Sequence, residues 1–140
     1  MNFKNIILYT FFIFIITAAA GFSEDINWQS YENGKELASQ NNKNLYIYFY
    51  SERCPWCTKM ENETFQKDSI SSYLNKNFVP VKINVQNEPQ ITQQYGIGPI
   101  PASVFMEPDH KTGIYKRPGY VDEKNFLNIL ETIHLEKYKE

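Results

Sequence analysis

A continuous apolar and aromatic run, Leu45-Tyr46-Ile47-Tyr48-Phe49-Tyr50, stands directly before the two cysteines of the chain, Cys54 and Cys57. Its length, its aromatic content and the turn-forming residues around it mark a buried central strand. Cys54-Pro55-Trp56-Cys57 then opens a helix-like segment to about Phe65, and proline is well tolerated in the first turn of a helix. A buried strand that passes through a short loop into a helix headed by two cysteines leaves few folds open.

The remaining segments extend this pattern. Trp28 to Gln40 reads as a short helix with Tyr31, Leu37 and Ala38 as its apolar positions, and Ser69 to Lys76 as another. Phe78 to Val85 alternates as a strand with Pro80 near its start, and Glu88 to Tyr95 is a short helix ended by Gly96. After Gly98-Pro99-Ile100-Pro101, Ala102 to Met106 and Ile114 to Arg117 read as a hairpin. Asp122 is the expected N-cap of a last helix from Glu123 to Lys137, with Phe126, Leu127, Leu130 and Ile133 on one face. Helices and strands interleaved in this way, closed by a hairpin and a last helix, imply an α/β domain with a central mixed sheet and helices on both faces.

The N-terminus bears on compartment. A short basic start is followed by the apolar run Ile6 to Ile16 and the small-residue pattern Ala18-x-Ala20, the form of a secretory signal peptide. The expectation is a signal peptide over residues 1–20, a single domain over 21–140, and a periplasmic or secreted location. An uncleaved anchor from about Asn5 to Phe22 is the competing reading. Sixteen acidic and fourteen basic residues are interspersed without a basic stripe, so nucleic acid is not an expected partner.

Secretion permits disulfides, yet a loop of about four residues removes little unfolded-chain entropy when closed, so this pair is a poor staple. It is a better reagent. At a helix start, unpaired backbone N–H groups and the helix dipole stabilise a thiolate at Cys54, the exposed nucleophile, while Cys57 one turn in resolves the mixed disulfide. Arg53 adds positive charge beside Cys54; its alternative is a solvated surface charge. A zinc site would need four ligands. His110 and His134 have no partners at ligand spacing, so no metal is expected, although copper(I) on the two thiolates is a rival. Pro99 and Pro101 stand just before a strand, and X–Pro bonds are the ones able to be cis; an ordinary trans loop proline is the alternative.

Cys54-Pro55-Trp56-Cys57 after an apolar strand, Tyr95-Gly96-Ile97 leading to Ile100-Pro101, and Gly119 before a final helix resemble the thioredoxin superfamily. The segments Lys59 to Phe65 and Phe78 to Asn84 look closest to SoxW-type thioredoxin-like proteins and to the C-terminal thioredoxin domain of the DsbD transmembrane reductase. The resemblance implies a thioredoxin fold, Cys54 as nucleophile, Cys57 as resolving thiol and Pro101 as a cis-proline beside which Ile100 meets substrate. Trp56 is a further substrate contact, with partial packing against the helix as its alternative. Arg53 and Pro55 are supporting residues. Three departures stand out. The position of the buried thioredoxin carboxylate is Tyr48, which leaves Lys82 without the acid that accompanies it. Arg53 replaces the usual tryptophan, and Pro99 and Ala102 replace the glycine and threonine around Ile-Pro.

The expected activity is protein thiol–disulfide exchange in the reductase direction, with no cofactor because the cysteines carry both electrons. Expected partners are protein dithiols and disulfides and a membrane or periplasmic electron donor, and the chain is expected to be a monomer. A disulfide donor or isomerase, a non-catalytic binding module and a copper-handling protein are the alternatives. The Asn62-Glu63-Thr64 sequon falls in the expected helix and reads as chance.

Overall fold

Strand β1, Asn44–Tyr50, lies inside a four-stranded sheet and buries both of its faces. The computed structural model describes residues 24–136. The expected signal peptide and the expected helix end at Lys137 lie outside them. The other elements are α1 (Tyr31–Asn41), α2 (Pro55–Met60, running on as a π-helical turn over Glu61–Phe65), α3 (Asp68–Asn77), β2 (Phe78–Asn84), α4 (Pro89–Gln94), β3 (Ala102–Met106), β4 (Gly113–Pro118) and α5 (Glu123–His134). The sheet runs β2-β1-β3-β4, with β1 and β2 parallel and the other two pairings antiparallel. Helices cover both faces, the arrangement expected from the order of elements.

Alternation along β1 builds both cores. Tyr46 and Tyr48 point into a cluster with Met60, Phe65, Leu74, Phe105 and Phe126, under α2, α3 and α5. Leu45, Ile47 and Phe49 point the other way, against Tyr31 and Ala38 of α1 and the valines of β2 and β3. The first core is aromatic: Tyr46 stacks on Phe105 with centroids 4.9 Å apart, and Phe65 meets Tyr48 edge-on at 4.8 Å. Such pairs contribute about 0.5–1.5 kcal/mol each beyond area burial. The Tyr46 hydroxyl is satisfied inside this core by Ser103 Oγ at 3.1 Å.

Three details differ from the sequence expectations. Helix α1 starts at Tyr31 rather than Trp28, because Gln29 bridges to Val81 and its N–H donates to the Pro80 carbonyl at 2.9 Å. That frees the Trp28 ring to pack against Tyr46, Tyr48 and Phe65. The helix after the cysteines widens into a π turn, which brings both Thr64 and Phe65 inside; Thr64 Oγ1 donates to the Val121 carbonyl at 2.7 Å. Finally, Gly34 rather than Leu37 is a fully covered position of α1, because the helix crosses the sheet so closely that a Cβ at Gly34 would meet Val81 Cγ2. Pro80 is accommodated because β2 is an edge of the sheet.

Candidate active site

Cys54 is the N-cap of α2. Its backbone is extended, and its sulfur accepts a hydrogen bond from the Cys57 N–H at 3.1 Å. The sulfur thus takes the place that a serine or aspartate oxygen fills at other helix starts. Pro55 occupies the first helical turn, where a missing N–H costs nothing. The Cys54 N–H is tied back to the Ser51 carbonyl at 3.3 Å, which fixes the loop between β1 and α2. The two sulfurs form a disulfide, with Cα atoms 5.2 Å apart. Cys54 is partly exposed, whereas Cys57 is 1% exposed. When the bond is reduced, the Cys57 N–H and the start of the helix favour a thiolate at Cys54. Among the described residues no hydrogen bond to the Cys57 sulfur accompanies it.

Trp56 is 57% exposed beside the cysteines. Its ring lies 5.9 Å from that of Tyr120, and the Lys59 ammonium sits over both, 5.1 and 4.9 Å from their centroids. Tyr120 donates to Glu63 at 2.9 Å, which fixes its ring at the edge of α2. The Ile100–Pro101 peptide bond is cis, with Pro101 buried and Ile100 half-buried. The Pro101 carbonyl accepts the Gly119 N–H at 2.7 Å. Since Tyr120 follows Gly119, this short stretch joins the Ile100-Pro101 loop to the Trp56 shelf. Gly119 itself has φ +91°, a conformation that L side chains rarely adopt. Arg53 is exposed and makes no hydrogen bond or ion pair among the described residues.

Beneath Cys57, Tyr48 stands where the sequence comparison with thioredoxins placed a carboxylate. Its hydroxyl donates to the Cys57 carbonyl at 3.3 Å. Burial above all, then the neighbouring Tyr46 and Glu61, hold the Tyr48 phenol far above its ordinary pKa, so it stays protonated. Lys82, in register with Tyr48 on β2, does have an acidic partner: Glu61 lies 3.1 Å away. The expectation of an unpartnered lysine is therefore corrected. The carboxylate comes from the π turn of the helix rather than from the strand. Its signal in the sequence was a glutamate four residues after Cys57, on the same helical face. Lys59 and Tyr120 were also missed, since only the tertiary fold sets Tyr120 beside Trp56.

The histidines lie elsewhere. His110 is within 3.4 Å of Ser39 Oγ, and His134 lies 3.0 Å from the Tyr73 hydroxyl. Among the described residues no group of three or more His, Cys, Asp or Glu side chains could hold a metal ion.

Comparison with known proteins agrees with this geometry. An uncharacterized protein of Caenorhabditis elegans is 32% identical over 130 residues, which cover 82% of this chain and 18% of that protein. The chain therefore spans less than a fifth of the length of this curated relative. A solved thioredoxin from Thermus thermophilus superposes with a TM-score of 0.73 at 22% identity, covering 81% of this chain and 90% of the other. The DsbH oxidoreductase superposes with a TM-score of 0.70 at 17% identity, covering 86% and 92%. Both establish a shared thioredoxin fold. The family model for the thioredoxin-like domain matches residues 31–134. That span runs from the first turn of α1 to the end of α5 and takes in both cysteines, so the chain belongs to the thioredoxin-like domain family.

Proposed function

We propose that this chain is a protein thiol–disulfide oxidoreductase, acting outside the cytoplasm and more readily as a reductase than as a disulfide donor. The observation that carries the reading is the asymmetry of the cysteine pair: a partly exposed cysteine whose sulfur is capped by a backbone N–H, and a buried one a turn below it. The Cys54 thiolate attacks a substrate disulfide, one substrate sulfur leaves as a thiolate, and a mixed disulfide forms. Cys57, as its thiolate, then attacks Cys54 sulfur and releases the second substrate sulfur. Two electrons pass to the substrate and the cysteine pair ends oxidised, so no further cofactor enters. Trp56, Ile100 and Pro101 are assigned to hold the substrate chain.

The reductase direction and the membrane or periplasmic donor rest on the resemblance to the C-terminal domain of DsbD and to SoxW-type proteins. The extracytoplasmic location rests on the leader-like residues 1–20. A monomer acting on protein disulfides, without nucleic acid, completes the proposal.

The deciding experiment is the reduction potential of the Cys54–Cys57 pair, measured by equilibration with a dithiothreitol or glutathione series. A value near that of thioredoxin, about −270 mV, supports the reductase. A value near that of DsbA, about −120 mV, makes the protein a disulfide donor instead. Absence of any reversible titration would remove the oxidoreductase reading.

A further inference from the structure

A groove of about 650 Å³ lies between α1, the end of α4 and the β3–β4 hairpin. Lys35, Lys111, Lys116 and His110 line it, and among the described residues that line it there is no aspartate or glutamate. This is unexpected in a chain with sixteen acidic and fourteen basic residues. Asp109, beside His110 in the chain, is engaged in its own turn, where it accepts the Lys111 and Thr112 N–H groups at 2.9 and 3.0 Å. Glu32 pairs with Lys35 at 2.8 Å from outside the lining. The walls are braced: the Tyr31 and Tyr95 hydroxyls lie 2.9 Å apart, and the Lys35 ammonium sits 4.5 Å over the Tyr31 ring. Lys116 donates to the Tyr95 and Gly96 carbonyls at 3.2 and 3.4 Å, neutral partners that fix the ammonium without cancelling its charge. An edge-strand lysine can serve simply to discourage strand pairing. That role needs neither two carbonyls holding the ammonium nor two further lysines on the same groove.

The groove is also joined to the Ile100–Pro101 loop. The carbonyls that hold Lys116 open the segment leading to Ile100, and β4 continues from Lys116 towards Gly119, whose N–H donates to the Pro101 carbonyl at 2.7 Å. Three residues of extended chain span about 10 Å. We propose that this groove docks an acidic segment of the protein whose disulfide the cysteines reduce, lying roughly three to six residues from the reactive cysteine. This inference rests on the oxidoreductase reading and names a class of substrate for it. Carboxylates on the segment meet Lys116 first and Lys111 and Lys35 further along. A chain segment fits better than a small anion, because small-molecule sites enclose most of their ligand. Here Lys111, Tyr115 and Lys116 are exposed, and the groove is open along its length.

Two measurements test this. In the first, a cysteine-free hexaglutamate peptide is titrated into the isotope-labelled chain and amide shifts are followed by NMR. Shifts should centre on α1, residues 110–112 and β4, and binding should weaken with added salt. Hexaglutamine should not bind. Equal shifts with hexaglutamine, shifts centred elsewhere, or equally tight binding of tripolyphosphate would overturn the peptide site. In the second, the reduced chain reacts with a disulfide-linked peptide dimer carrying two glutamates three residues from each cysteine, and with its glutamine counterpart. The glutamate peptide should react faster, and the ratio of the two rates should fall about fivefold in Lys111→Gln/Lys116→Gln. The ratio cancels any general change in reactivity, and an unchanged amide spectrum reports that the variant is folded. Lys124→Gln on α5 should keep the wild-type ratio. An equal fall in Lys124→Gln, or no fall in the double variant, would overturn the docking role and leave the oxidoreductase standing. A wild-type chain that binds hexaglutamate at the groove yet reduces neither disulfide would overturn the oxidoreductase reading, and the substrate assignment with it.

Discussion

The Cys57 amide points at Cys54 sulfur from 3.1 Å, so the residue that resolves the mixed disulfide also prepares the residue that forms it. This geometry predicts selective chemistry. In the reduced chain, iodoacetamide should modify Cys54 well before Cys57. The pH profile of its rate should have its midpoint below the ordinary thiol value of about 8.5, and peptide mapping identifies the labelled residue. Equal labelling of the two cysteines would contradict the assignment of roles.

Trp56 offers a separation of binding from stability. Its ring is mostly exposed, and its contacts are with Tyr120 and the Lys59 ammonium. Trp56→Ala should cost no more than about 1 kcal/mol in urea unfolding, the scale of an exposed cation–π contact. If the shelf receives substrate, the same change should raise KM for a protein disulfide several-fold while leaving reaction with a small aromatic disulfide near normal.

Gly34 predicts a coupled pair. A methyl group there meets the stiff, β-branched Val81 side chain, so Gly34→Ala should destabilise the domain by about 1–3 kcal/mol. Val81→Ala alone leaves a cavity and is also destabilising. Combined, the two should cost clearly less than the sum of the single changes. Additive losses in denaturant midpoints would show that α1 simply moves away from the sheet.

Asp122 sets a pH signature. Its side chain caps α5 by accepting the Asn125 N–H at 3.1 Å, and this bond, followed by that from the Asn125 side chain, holds the carboxyl below its ordinary pKa. A depressed folded-state pKa adds stability that is complete above the unfolded value, about 3.9, and disappears as pH falls through the folded one. Asp122→Ala should therefore lower the melting temperature at pH 7, and the difference from wild type should shrink to nothing in strong acid. A difference that persists at pH 2 would mean that the cap works without its charge.

Much of this protein was readable along the chain because the signals are local. Continuous burial wrote β1 as an unbroken apolar run, the helix period wrote α5, and the spacing of Cys54 and Cys57 with Pro55 between them marked a helix start. The mixed sheet followed from the order of these elements, since short links and alternating helices leave few topologies. Tertiary structure decided everything that depends on which residues meet across the chain. A pairing of Lys82 with Glu61, of Tyr120 with Trp56, or of Gly34 with Val81 joins positions far apart in sequence, and no periodicity encodes it. Trp28 left the first helix because an edge of β2 offered its neighbour a backbone partner. The helix behind the cysteines widened into a π turn that buries Thr64 beside Phe65. The residues therefore named the reagent, and the fold chose the surroundings in which it works.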